Sequence, residues 1–187
     1  MHRGKLLAAA AAACAAIGAT GVAVAATGTP AGATVIKAVF GPSAVKINRY
    51  AEDSARWNKD VYTVKSGGTL HIVNDAAGDG PHTFTVVTAN ELPRTVAQIN
   101  NCAICNTLAK AHGANPGSNT PPKFQYLKRG VGQNTPPDVT GPGDSGITGP
   151  GKQGESINFK VTAKPGTVLE FMCLIHPWMQ AKLLVVK

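Results

Sequence analysis

Apolar residues in this chain gather in short runs separated by turn-forming residues. Val35 to Phe40 and Ala44 to Ile47 are split by Gly41-Pro42, and Val61 to Val64 ends at Ser66-Gly67-Gly68. Thr69 to Asn74 is rich in β-formers, and Asp75 to Pro81 reads as a Gly/Asp turn. His82-Thr83-Phe84-Thr85-Val86-Val87 alternates as a half-buried strand does. Later come Ser156 to Ala163, the turn Pro165-Gly166, Thr167 to Cys173, and Ala181 to Lys187. Seven or eight short strands joined by tight turns predict an all-β fold, an antiparallel β-sandwich. With 21 Gly and 13 Pro against few aromatics, the composition argues the same way and against a helical bundle.

Between Thr88 and Gly154 the pattern changes. Leu92, Val96, Ile99 and Ala103 follow a helical spacing that Gly113 ends, predicting a short helix around Thr95 to Ala111. Leu92, Val96, Ile99 and Ile104 are the residues expected to pack this half onto the sandwich. From Gly113 to Gly154 the chain is mostly Gly, Pro, Asn, Thr and Ser, and Thr135-Pro136-Pro137 and Gly141-Pro142-Gly143 suit neither a ladder nor a helix. Residues 88–154 therefore read as an insertion, a short helix followed by a mobile surface loop, within one domain spanning residues 34–187. Replacing Gly130 to Lys152 with a short linker is expected to leave the fold intact.

The start of the chain reads as an export signal over residues 1–25. His2, Arg3 and Lys5 precede an Ala-dominated apolar stretch from Leu6 to Ala26, and Ala23-Val24-Ala25 offers a small-x-small cleavage site. An uncleaved membrane anchor and a lipoprotein at Cys14 are weaker readings, because Gly18 and Gly21 interrupt the run and Ala11 stands where a larger aliphatic residue is usual. The expected location is periplasmic, cell-envelope or extracellular. Removing Arg3 and Lys5 leaves 16 basic side chains against 10 acidic, a net charge of about +6. That charge suits an acidic partner protein or an anionic membrane surface. The basic residues are scattered without an aromatic stripe, which argues against nucleic acid.

Beyond the signal stand Cys102, Cys105 and Cys173. An odd count outside the cytoplasm needs an explanation. A disulfide between Cys102 and Cys105 leaves Cys173 alone, and a metal bond would protect it from oxidation. The segment Phe171-Met172-Cys173-Leu174-Ile175-His176-Pro177-Trp178-Met179 holds Cys-x-x-His-x-x-Met directly after a β-rich run. A thiolate, an imidazole and a thioether so close together are soft ligands that suit copper moving between its two common oxidation states. A second imidazole would complete a trigonal His-Cys-His set with a weak axial Met. His82, ending a turn and opening a strand, is the candidate. His71 lies mid-strand, and His112 lies at a helix-to-loop break where a solvated side chain is expected. Pro177 lacks an N–H and stiffens the loop, and Trp178 suits either packing or a docking face beside His176.

These residues resemble the ligand loop of cupredoxins, with a spacing most similar to amicyanin-type and plastocyanin-like proteins. Asn74 to Val87, with Gly80-Pro81-His82, resembles their first-ligand region. The resemblance implies an eight-stranded Greek-key β-sandwich, one type 1 copper ion on His82, Cys173, His176 and Met179, and one-electron transfer to redox partner proteins rather than catalysis. It covers about Val61 to Val87 and Ser156 to Lys187 well, and the insertion not at all. One departure is Thr83, where plastocyanin-like proteins often carry an Asn that ties the two ligand loops together; the Thr83 hydroxyl could make a similar bond. The same ligand set would serve a copper carrier. Cys102, Cys105, Cys173 and His176 also make a Cys3His zinc pattern, and Cys102-x-x-Cys105 alone could be a thiol–disulfide exchange site. The absence of His-x-His argues against a multicopper oxidase, and the absence of a second Cys near Cys173 argues against a binuclear copper centre.

Overall fold

The structure is a computed structural model that describes residues 28–48, 50–76, 78–116 and 121–187. The segment read as an export signal, residues 1–25 with Cys14, lies outside the described residues. Fifteen elements follow in order: β1 (Thr34–Phe40), β2 (Ala44–Lys46), β3 (Tyr50–Glu52), β4 (Ala55–Trp57), β5 (Val61–Lys65), β6 (Thr69–Asn74), β7 (Thr83–Val87), α1 (Val96–Asn100), α2 (Ala103–Ala111), β8 (Tyr126–Lys128), β9 (Val131–Gln133), β10 (Ser145–Ile147), β11 (Ser156–Lys160), β12 (Val168–Met172) and β13 (Gln180–Val186). The all-β sandwich is present. One sheet has the order β11-β6-β1-β4 and the other β5-β13-β12-β7-β10-β8-β9, with β2-β3 as a separate ribbon. Its sheets are mixed rather than purely antiparallel, because β1 pairs with β6 and β5 with β13 in parallel.

The alternation in sequence becomes alternation of burial. In β5, Tyr62 and Val64 face in while Val61, Thr63 and Lys65 face out. The facing layers meet in one core, with Ile36, Leu70, Ile72 and Phe159 opposite Phe84, Val86, Leu169, Phe171 and Leu183. Rings interlock through its middle: Phe84 lies 4.8 Å from Phe171 and 5.4 Å from Phe159, and Trp57 lies 5.6 Å from Phe171. Such tilted pairs add to the burial term that drives the sandwich together.

All five residues of β7 are buried, because the outer face of its sheet is also covered. The cover is the first half of the 88–154 segment. Leu92, Cys102, Cys105 and Leu108 pack with Val87, Leu127, Met172 and Leu174, and Ile104 packs against them. The single helix expected over Thr95 to Ala111 is two helices. Thr95 caps α1 in a capping box with Gln98, Asn101 ends it, and Cys102 caps α2. That break turns Val96 outward, so it is 73% exposed instead of packed. On α2 the buried side is Cys105, Leu108 and then His112, a helical stripe.

The second half of the segment is mostly loop by residue count but not a mobile appendage. Strand β10 pairs with β7 on one side and β8 on the other, extending the main sheet. Val139 is fully buried in the central core. Gly146 sits where a Cβ would fall 2.6 Å from Phe159 Cζ, so only glycine lets β10 lie this close to the opposite sheet. Asp144 organises the rest. Its buried carboxylate accepts hydrogen bonds from the Arg129, Thr140 and Gly141 backbone N–H groups and the Thr140 hydroxyl, and pairs with Lys128 Nζ at 3.2 Å. The polar composition that reads as loop is therefore spent on satisfying one buried anion.

Asp144→Ala strands several buried donors and is expected to cost about 3 kcal/mol or more in thermal unfolding. Lys182→Ala, which breaks a pair between an exposed lysine and the partly buried Glu170, should cost about 1 kcal/mol. Replacing residues 130–152 with a linker removes Val139, Asp144 and β10 and is now expected to abolish cooperative unfolding, reversing the outcome that composition alone suggests.

Candidate metal centre

The pairing of β7 with β12 builds the site. These strands are antiparallel with Phe171 opposite Val86 and Met172 opposite Thr85, so the start of β7 lies beside the end of β12. His82 precedes β7 and Cys173 follows β12. Both are thus delivered to the same end of the same sheet, although they are 91 residues apart.

Each ligand-bearing segment is held by its own hydrogen bonds. On the first, Asn74 is buried and shapes the preceding turn by donating to Gly80 O and accepting from Ala76 N–H. His82 N–H donates to Thr148 Oγ1, and Thr148 donates through both its N–H and its hydroxyl to His82 O. On the second, Cys173 N–H donates to Met179 O and Met179 N–H donates to His176 O, closing the loop between β12 and β13. Trp57 Nε1 also donates to Met179 O at 3.1 Å. Two bonds then join the segments: Thr83 N–H donates to Cys173 Sγ at 3.3 Å, and Leu174 N–H donates to Thr83 Oγ1 at 2.7 Å. The tie expected of Thr83 is made.

His82, Cys173 and His176 converge as a buried group whose candidate ligand atoms all lie within 4.8 Å of one another. Cys173 Sγ lies 3.6 Å from His176 Nδ1 and 3.9 Å from His82 Nδ1, and the two Nδ1 atoms are 3.2 Å apart. The two ring nitrogens and the sulfur stand within hydrogen-bonding reach of one another. They have good complementarity to a cation: nitrogens held about 2 Å from one ion lie a little over 3 Å apart. His82 Nε2 is buried without a hydrogen-bond partner, so that ring is oriented by its surroundings and by what Nδ1 faces. The chain resembles the cupredoxins.

Solved structures similar to the chain include auracyanin A, a "blue" copper protein from Chloroflexus aurantiacus, at 18% identity over 70% of this chain and 88% of that one, with a TM-score of 0.38. Auracyanin B matches at 16% identity over 86% and 93% of the two chains, with a TM-score of 0.43. A purple cupredoxin from Nitrosopumilus maritimus matches at 14% identity over 81% and 97%, with a TM-score of 0.34. No protein-family model and no curated protein matches the chain.

Met179 is buried in the same loop, next to the ring of Trp57 that bonds its carbonyl. Trp178 both packs and shows itself. Its Nε1 donates to Ala55 O, its ring stands edge-on to His176 at 5.4 Å, and it stays 39% exposed beside the exposed Ile175. Cys102 and Cys105 form a disulfide at the start of α2. With those sulfurs joined to each other, neither the Cys3His zinc set nor a pair of free thiols remains. Cys173 is the free cysteine among the described residues. His71 is buried with Nδ1 2.7 Å from Asn158 Oδ1. His112 is not solvated: it is 1% exposed, with Nδ1 2.8 Å from Phe124 O and Nε2 3.0 Å from Ser145 Oγ. The helix delivers it inward because it continues the Cys105–Leu108 stripe. Sequence reasoning missed Thr148, Trp57 and Asp79, whose Oδ2 lies 3.2 Å from His176 Nε2. Only Asp79 had a signal, its place in the turn before His82.

Burial alone would raise the Cys173 thiol. Hydrogen bonding to His176 and His82, and their charge, outweigh it and bring the thiol down to about 5. Burial lowers His176, but the adjacent Cys173 sulfur and the carboxylates of Asp79 and Asp53 raise it above its ordinary value. The two shifts act in the same sense, favouring the ionised sulfur and the protonated ring together, and an ionised sulfur suits a soft cation.

In the metal-free protein, thiolate ultraviolet absorbance is expected to persist down to about pH 5, far below the ordinary thiol value of 9.0. Since folding depresses this pKa, the thiolate's stabilisation is full above the unfolded value and is lost as pH falls through about 5. His176 is raised, so its stabilisation is full below 6.5 and is lost as pH rises through its folded value. Loss of the absorbance already between pH 9 and 7 would refute the ion pair.

Proposed function

We propose that the protein binds one copper ion on His82 Nδ1, Cys173 Sγ and His176 Nδ1, with Met179 as a weak axial ligand, and carries single electrons outside the cytoplasm. The observation that carries this reading is the convergence of two imidazole nitrogens and a thiol sulfur in one buried cluster. Bound there, copper supplies a one-electron couple between Cu(I) and Cu(II). The chain supplies the rest. Cys173 gives a charged, polarisable donor, and Thr83 N–H withdraws some of that charge through its bond to sulfur. Pro177 offers no N–H that could compete at the sulfur. The backbone bonds from Cys173 to Met179 and from Met179 to His176 keep the loop closed, so a change of charge need move little. A carrier that hands its ion over must open its ligands, whereas here His82 and Cys173 are wholly buried and doubly tied. That arrangement favours electron transfer over copper delivery.

Ile175 and Trp178 form an exposed apolar rim beside His176. An acidic redox partner docking there would find a short path to the ligand ring and a chain of net charge about +6 after signal removal. An anionic membrane surface is the other partner this charge fits; no helix of the described residues is long and apolar enough to cross a membrane. The disulfide agrees with an exported protein.

The visible and EPR spectra of the copper-loaded protein are the direct test, with an intense thiolate-to-copper band expected. Cys173→Ser should lose the band and most copper affinity, while Cys102→Ser should keep it. Met179→Gln is expected to retain copper, lower the reduction potential and move the spectrum toward green. If Met179→Gln releases the metal altogether, Met179 serves to pack the loop and is not the axial donor.

A further inference from the structure

A line of buried polar groups runs from the 88–154 segment to the cysteine loop. His112 Nε2 lies 3.0 Å from Ser145 Oγ, and Ser145 Oγ lies 2.7 Å from Thr85 Oγ1. Thr85 Oγ1 donates to Thr83 Oγ1 at 3.1 Å. Thr83 Oγ1 in turn accepts the Leu174 N–H, and Thr83 N–H donates to Cys173 Sγ. Every residue on this line is buried. None of His112, Ser145 and Thr85 has a role in the ligand set, and two of the three come from the insertion.

We propose that His112 is a positioning residue for the metal loop, acting on Leu174 and Cys173 through the hydroxyls of Ser145, Thr85 and Thr83. The contacts show how. Phe124 O can only accept, so His112 Nδ1 carries a proton toward it, and Nε2 stands 3.0 Å from Ser145 Oγ. Ser145 Oγ lies 2.7 Å from Thr85 Oγ1, which donates to Thr83 Oγ1. A hydroxyl oxygen has two lone pairs, so Thr83 Oγ1 accepts from Thr85 and from Leu174 N–H together. The line from His112 thus holds the Thr83 side chain in place on Leu174, and loss of any hydroxyl along it loosens that hold. The backbone that bears the ring is held too, because Phe124 N–H donates to His112 O. The effect on the loop stands on these contacts alone; its effect on a reduction potential rests on the copper reading above.

The test uses the full chain, metal-free and copper-loaded. Thr85→Val keeps the side-chain shape and removes the hydroxyl. In the metal-free protein it should speed hydrogen exchange of the Leu174 amide about tenfold, read by NMR, and in the copper-loaded protein it should shift the reduction potential and the thiolate band. Thr85→Ser should restore all three. Ser145→Ala and His112→Gln should act in the same sense as Thr85→Val, and Ser145→Ala serves if His112→Gln does not fold. Wild-type Leu174 exchange in folded Thr85→Val and Ser145→Ala overturns the proposal, and so does a uniform loss of protection across the core, which marks a merely structural role. A wild-type protein that takes up copper without the thiolate band refutes the copper reading instead, while the Leu174 measurement still decides the line of hydroxyls.

Discussion

The structure depends on holding two imidazoles and a thiol in one dry place. Taking such groups from water is unfavourable unless each finds a partner. Here the partners are chiefly one another: the two rings lower the thiol, and the sulfur raises His176. This mutual stabilisation works only while the β7–β12 pairing fixes both segments, so the ladder between those strands is as much part of the site as the side chains are. A cation placed among them would take the place of the proton they share.

Around that cluster the chain separates two tasks. The inner sheet faces and their interlocked rings provide rigidity at Trp57, Phe84 and Phe171. The polar backbone ties of Thr83, Thr148 and Met179 provide aim. The insertion joins both tasks, since it covers the outer face of the main sheet with α2 and the disulfide and sends β10 into the ladder beside β7. A segment that looks peripheral in sequence is thereby adjacent to the strand on which the first histidine rests.

The cluster was legible because two of its members, Cys173 and His176, lie within one short loop, and His82 was legible because a turn followed by an alternating strand marks a strand start. Longer strands such as β5, β6 and β13 were legible as apolar, β-former-rich runs bounded by turn residues. What escaped had specific causes. Strand β4 is too short for a period to emerge, although it brings Trp57 to the site. Strands β8 to β10 contain Gly132 and Gly146 amid Pro and Thr, and their stability comes from Asp144, whose role depends on donors contributed by distant turns. His112 was misread because a helix end says nothing about which face a following residue takes until the Cys105–Leu108 stripe is known to be buried. Thr148 acts through a position that only the folded chain sets.

The parallel pairing of β5 with β13 also governs when the molecule can exist. Val61 meets Lys182, about 120 residues later, and no local hairpin can substitute for that neighbour. While the chain is being made or threaded through a membrane, β5 waits as an unpaired edge and Cys173 has no ring opposite it. The sandwich can close only after nearly all of the chain has arrived on one side. Late closure of the loop between β12 and β13 is thus built into the order of the strands, because the ladder that holds Cys173 in place is completed by the last strand of the sheet.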